Sequence, residues 1–205
     1  MLQISTDFVF DGETNKPYSP LDRVNPINIY GKSKAAGEQV INEILGETKQ
    51  SSIIRTSWLM SPFKNNFATT IFSLLRNKDT ISIVSDQVGS PTSCESLAKT
   101  CWRVINIKNS NSISIPNILH WSNMGQASWY EIANYIYKTS KKQNLISNNP
   151  TIKPISTNEY KFKANRPMFS VLDSSLTSKT LNLKNISWEK AIESIIYCKL
   201  KNKNN

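Results

Sequence analysis

Tyr30 and Lys34 stand four residues apart in the run Asn28-Ile29-Tyr30-Gly31-Lys32-Ser33-Lys34. If the chain is helical from Asn28 onward, the phenol and the ammonium share one helix face. A free tyrosine titrates near ~10, and an adjacent cation favours the phenolate and draws that value toward neutrality. Such a pair can protonate a carbonyl oxygen while hydride arrives at its carbon. A lone Tyr-x-x-x-Lys is also a common pair of surface neighbours, so the reading rests on its surroundings.

The elements that would position the pair begin just upstream. Leu2 to Ser5 reads as a short buried strand running into Ser5-Thr6-Asp7. Open α/β sheets place their chemistry at the carboxyl ends of parallel strands. Thr6 would there hydrogen-bond the same oxygen that Tyr30 protonates; in the plainer alternative these residues only turn the chain. A turn-rich loop, Asp11-Gly12 and Pro17 to Pro26, leads to the helix, whose inward face is expected to carry Ala36, Val40, Ile41, Ile44 and Leu45, with Gly46 as its stop. Gly31 and Gly37 inside it each cost roughly 1 kcal/mol relative to Ala, which suggests close approach of another backbone or a ligand.

Ser52 to Met60 reads as a second buried strand, with Trp58 near its end. A helix over Asn66 to Asn77, a strand over Thr80 to Val84 and the loop Asp86 to Thr92 follow. Thr92 with Glu95, and Ser128 with Glu131, have the spacing of capping boxes. Asn144 to Tyr160 is polar and interrupted by proline, and Ser187 to Leu200 is a final amphipathic helix with Trp188, Ala191, Ile192, Ile195 and Ile196 inward.

A formal charge of +10, from 25 basic and 15 acidic residues in 205, suits an anionic partner. The lysines are scattered with no run of five like charges, so a negatively charged small molecule fits better than nucleic acid. Cys94, Cys101 and Cys198 lack Cys-x-x-Cys spacing, which implies reduced thiols and no zinc site. His120 is the only histidine and reads as structural. There is neither an apolar run of the ~20 residues a membrane span needs nor a secretory leader pattern, which gives a cytoplasmic expectation.

Six segments resemble one family: STDFVFDG from Ser5, NPINIYGKSKAAGEQ from Asn25, RTSW from Arg55, DQVGSPT from Asp86, SWYEIA from Ser128 and RPMFSVLD from Arg166. They are similar to the extended short-chain dehydrogenase/reductases and, within them, to the dTDP-4-dehydrorhamnose reductase family. The resemblance implies Thr6, Tyr30 and Lys34 as the catalytic set, Tyr30 and Lys34 as cofactor contacts, and Thr6, Asp7 and Trp58 as substrate contacts. Arg166 is a further substrate candidate, because a forked guanidinium suits diphosphate oxygens. Phe8 stands where the family usually has Tyr. The resemblance implies NADPH (or NADH) as cofactor and a dTDP-4-keto sugar as substrate.

The family opens with a strand and a Gly-x-x-Gly-x-x-Gly turn that meets the cofactor pyrophosphate. The 6 glycines here contain no such pattern. The expected fold is therefore α/β, a partial Rossmann-like doubly wound parallel sheet missing its first strands, with a small C-terminal α/β substrate-binding lobe. Residues 1–110 would form the second half of the reductase domain, 111–200 the lobe and 201–205 a frayed tail. A separate polypeptide carrying the cofactor half is an expected partner, without which the chain would be inactive. Sugar-nucleotide dehydratases carry an Asp-Glu pair where this chain has Asp7-Phe8, which counts against that chemistry. The competing reading is a non-catalytic sugar-nucleotide binder, or a relative of the regulatory subunits of methionine adenosyltransferase.

Overall fold

Short apolar runs separated by helices put three parallel strands side by side, drawn from residues 2–6, 52–56 and 118–120. The computed structural model describes residues 1–48, 50–110, 113–161 and 163–201. In chain order its elements are β1 (Leu2–Thr6), α1 (Ile29–Leu45), β2 (Ser52–Thr56), β3 (Leu59–Met60), α2 (Phe67–Asn77) and β4 (Thr80–Val84). There follow β5 (Val88–Gly89), β6 (Thr92–Ser93), α3 (Cys94–Ser110), β7 (Ile118–His120), β8 (Ala127–Ser128), α4 (Trp129–Lys142), β9 (Thr151–Ile155), α5 (Ser175–Leu181) and α6 (Trp188–Lys201). Residues 202–205 of the expected tail lie outside the described residues.

The main sheet runs β1-β2-β7, all parallel, with Ser5 opposite Arg55 and Arg55 opposite His120. β2 is buried along its whole length, whereas β1 is buried only at Ser5 and Thr6. Smaller pairings join distant segments: β3 with β6, β4 with β9 in parallel, and β5 with β8 antiparallel. Strand pairings cross position 110 three times, since β7 joins β2, β8 joins β5 and β9 joins β4. The largest core cluster packs α2, α4 and α6 around Ile71, Leu75, Ile132, Ile136, Ile192 and Ile196.

Four local expectations need correction. In α1 only Ile41 of the expected inward set is buried; Ala36, Val40 and Ile44 are exposed and Leu45 is half-buried. The helix rests on the sheet through Gly31 and Glu38 instead. The second strand is not continuous from Ser52 to Met60: it breaks at Ser57-Trp58, where Trp58 takes a left-handed φ of 45°. The cap of α3 is Ser93, whose hydroxyl accepts from Ser96 N at 3.1 Å, while Glu95 pairs with Lys99. Finally, the polar stretch 144–160 contains β9, with Pro154 inside it. Proline is tolerated there because β9 pairs on one side only, with β4.

Candidate functional site

The start of α1 is fixed by its own sequence. Asn28 caps it, its Oδ1 accepting from Gly31 N at 2.8 Å, and its Nδ2 donates to the Asn165 carbonyl at 2.9 Å. The first bond satisfies an orphan N–H of the first turn, and the second brings the segment before Arg166 to the same place. A Cβ on Gly31 would sit 2.1 Å from the Phe8 carbonyl oxygen. Glycine is therefore required where the helix lies on the turn that follows β1. Gly37 has open space instead and no such role.

This contact brings the expected catalytic residues to one end of the sheet. Thr6 ends β1 and caps the 3-10 turn Asp7–Val9, accepting from Phe8 N. Phe8 packs edge-to-face on the Tyr30 ring, centroids 6.0 Å apart. Tyr30 is 55% exposed at that end. One turn along, Lys34 Nζ donates to the Ile4 carbonyl at 2.6 Å, two residues before Thr6. A further turn along, Glu38 accepts from Ser5 Oγ. Three successive turns of α1 thus touch β1 and the turn that follows it.

Glu38 is also the acceptor for a buried Arg55, with Nε at 3.0 Å from Oε1 and Nη2 at 2.6 Å from Oε2. Arg55 Nη1 donates to the Pro20 carbonyl and lies 3.4 Å from His120 Nε2. Burial and then the Arg55 charge push the His120 pKa down to about 3. A neutral ring beside that cation presents a lone pair at Nε2, so Nδ1–H donates to the Tyr18 carbonyl at 3.0 Å. His120 is structural, as its isolation in the sequence suggests. Among the described residues no group of three or more acidic, His or Cys side chains could hold a metal.

Asp7 is the most perturbed carboxyl of the site. It is buried, and its Oδ1 accepts from Thr6 Oγ1 at 3.0 Å. Burial pushes its pKa up to about 6, against the Ser170 and Thr6 hydroxyls, which favour the charged form.

Trp58, beyond the end of β2, is half-buried and stacks on Trp129 with centroids 3.6 Å apart. Phe67 tilts against Trp129 at 4.5 Å. Trp129, Phe67, Tyr160 and the exposed Arg166 line a cleft of about 480 Å³. Arg166 is therefore grouped with the tryptophan stack rather than directly with Thr6. Sequence reasoning assigned Trp129, Glu38 and Gln87 no individual role, although each lies in a segment that resembles the family: SWYEIA, NPINIYGKSKAAGEQ and DQVGSPT.

Residues 1–199 match the model of the RmlD substrate binding domain. The chain belongs to this family. Among its relatives, the dTDP-4-dehydrorhamnose reductase of Aggregatibacter actinomycetemcomitans is 32% identical over 95% of this chain and 65% of its own length. The Spore coat polysaccharide biosynthesis protein SpsK of Bacillus subtilis is 39% identical over 83% of this chain and 55% of its own. The crystal structure of dTDP-4-dehydrorhamnose reductase from Bacillus anthracis, in complex with NADP, superposes with a TM-score of 0.82 at 34% identity. It covers 96% of this chain and 64% of that one. The chain thus spans 55–65% of the length of these relatives. Rossmann-like reductases are its structural neighbours, and its α/β fold with parallel strands is of their kind. No described helix is long and apolar enough to cross a membrane.

Proposed function

We propose that this chain is the catalytic-helix and substrate-binding part of a reductase that converts dTDP-4-dehydro-L-rhamnose to dTDP-L-rhamnose. The observation that carries the reading is the clamp of α1 on β1. Gly31 against the Phe8 carbonyl and Lys34 on the Ile4 carbonyl hold Tyr30 and Lys34 at the strand end that bears Thr6. The reductase names of the relatives, and the NADP in one of their structures, support the substrate and the cofactor.

In this reading Tyr30 gives its phenolic proton to the carbonyl oxygen as that oxygen gains charge, and Thr6 hydrogen-bonds the same oxygen. Lys34 keeps a positive charge beside the developing phenolate. The half-buried Lys34 and the exposed Tyr30 also fit a nicotinamide ribose, which is how these two residues would hold NADPH. Bound there, a reduced nicotinamide would supply the hydride to the carbonyl carbon. The glycine-rich pyrophosphate grip of such a cofactor would come from residues beyond these, on the same polypeptide or on another. Trp58 and Trp129 form the aromatic wall for the sugar nucleotide, and Asp7 would act on the substrate from the turn it shares with Thr6. Arg166, on the rim of the cleft, faces the diphosphate.

The test has two arms. Calorimetry on this chain with dTDP should show saturable binding. NADPH oxidation with the keto sugar, in the presence of a cofactor-binding half, should fall ~10²-fold or more in Tyr30→Phe, the usual worth of acid catalysis. Full activity in Tyr30→Phe would refute the catalytic assignment.

A further inference from the structure

The loop Asp86 to Gly89 makes more connections to the site than any role in turning the chain requires. Gln87 is buried, yet both ends of its side chain are used: Oε1 accepts from Trp129 Nε1 at 3.2 Å, and Nε2 donates to Thr157 Oγ1 at 3.1 Å. Asp86 takes the same segment from the other side, accepting from Thr157 N at 2.8 Å and from its hydroxyl at 2.7 Å. Val88 donates to the Met168 carbonyl and accepts from Ser170 N, each at 2.8 Å. Gly89 lies under Trp58, where a Cβ would come within 2.5 Å of the indole. Four consecutive residues therefore fix Trp58, Trp129, Thr157 and the Met168–Ser170 segment that follows Arg166.

We propose that Gln87 is the positioning residue of the sugar-nucleotide pocket. It acts through the Trp129 indole N–H and thereby sets the face that the Trp58–Trp129 stack presents to a nucleotide diphosphate. This inference rests on the functional reading above. That hydrogen bond, beside the stack on Trp58, favours one setting of the indole and so orders the wall before the ligand arrives. The other end of Gln87 couples that wall to the segment leading to Tyr160 and Arg166. A ligand gripped by both meets them at a set distance.

The probe is dTDP, with binding followed by calorimetry and the tryptophan stack followed by its exciton couplet in far-UV circular dichroism. Gln87→Met keeps side-chain length and removes both hydrogen bonds. It should weaken dTDP binding by roughly tenfold, the scale of a lost buried hydrogen bond, and shrink the couplet. Trp129→Phe keeps a ring but has no N–H to hold; adding Gln87→Met to it should produce a smaller further loss than in the parent, only that of the Thr157 bond. An equal loss from Gln87→Met in both backgrounds overturns the inference, because the effect would then bypass the indole. Unchanged dTDP affinity in Trp129→Phe overturns it as well, whether or not Gln87→Met folds. A parent chain that binds no dTDP overturns the sugar-nucleotide reading, and this role with it. A parent that binds beside a Gln87→Met variant that binds equally removes only the role of Gln87.

Discussion

At the end of β1 the Thr6 hydroxyl is already a donor, to Asp7 Oδ1, and already an acceptor, from Phe8 N. To donate to a substrate oxygen it must release Asp7, and a protonated Asp7 makes that exchange easy by turning acceptor into donor. Burial keeps the Asp7 proton on to about pH 6, compared with 3.8 for an ordinary aspartate. The same displacement has a sign for stability. A carboxyl bound more tightly to its proton in the folded state stabilises the fold below the ordinary value. That contribution is lost as pH rises through the raised one, and amounts to about 3 kcal/mol for a displacement of this size. Asp7→Asn should therefore unfold at higher denaturant than the parent at pH 8. The gap should close as pH falls below 3.8. A constant gap across that range would show that Asp7 does not titrate in the window. His120 works in the opposite direction: its lowered pKa means stability is lost as pH falls from 6.5 through about 3.

Helix α1 is the element on which the site depends, and its seating is electrostatic as much as apolar. Glu38 and Arg55 have side chains only 5% and 3% exposed, so removing one leaves the other charged and buried. Glu38→Ala should cost roughly 3–5 kcal/mol in denaturant unfolding, whereas Glu38→Leu with Arg55→Met should cost much less. Equal losses from both would place the contribution in packing rather than charge. The sequence foretold the helix from Asn28 onward, because helical spacing is a local signal; of the close approaches expected at Gly31 and Gly37, only the one at Gly31 is present, against the Phe8 carbonyl. The sequence pattern misplaced the buried face. Ala36, Val40 and Ile44 repeat at helical spacing and look like core, while Glu38 looks like a solvated charge until Arg55, 17 residues on, is seen beside it. β9 escaped notice for a related reason: its burial is slight, it contains Pro154, and its partner β4 lies about seventy residues back, with Thr80 opposite Thr151. The Trp58–Trp129 stack is equally non-local. Periodicity reports what one element does and is silent on pairs formed across the fold.

Across the whole molecule, two surfaces remain that a folded chain rarely leaves bare. Ile29, Val40 and Ile44 are 86%, 50% and 69% exposed, and their spacing puts them on one stripe of α1. β1 pairs with β2 alone among the described residues, so its other edge presents backbone donors and acceptors ready for another strand. Both features favour association. The charge of +10 opposes it, because like molecules repel over the Debye length, ~10 Å at 0.1 M salt. The balance should therefore shift with ionic strength. At low salt the repulsion reaches across the gap between approaching copies, and at high salt only the apolar stripe and the open edge act. Sedimentation or light scattering should show mass rising with protein concentration, and rising further as salt is added. Val40→Lys with Ile44→Lys should suppress that rise at every salt concentration, since it removes apolar area and adds charge at the same stripe. If mass rises in the double variant as in the parent, the β1 edge drives association and the stripe does not. A parent that stays monomeric at high salt and high concentration would show that neither surface is sticky enough to matter.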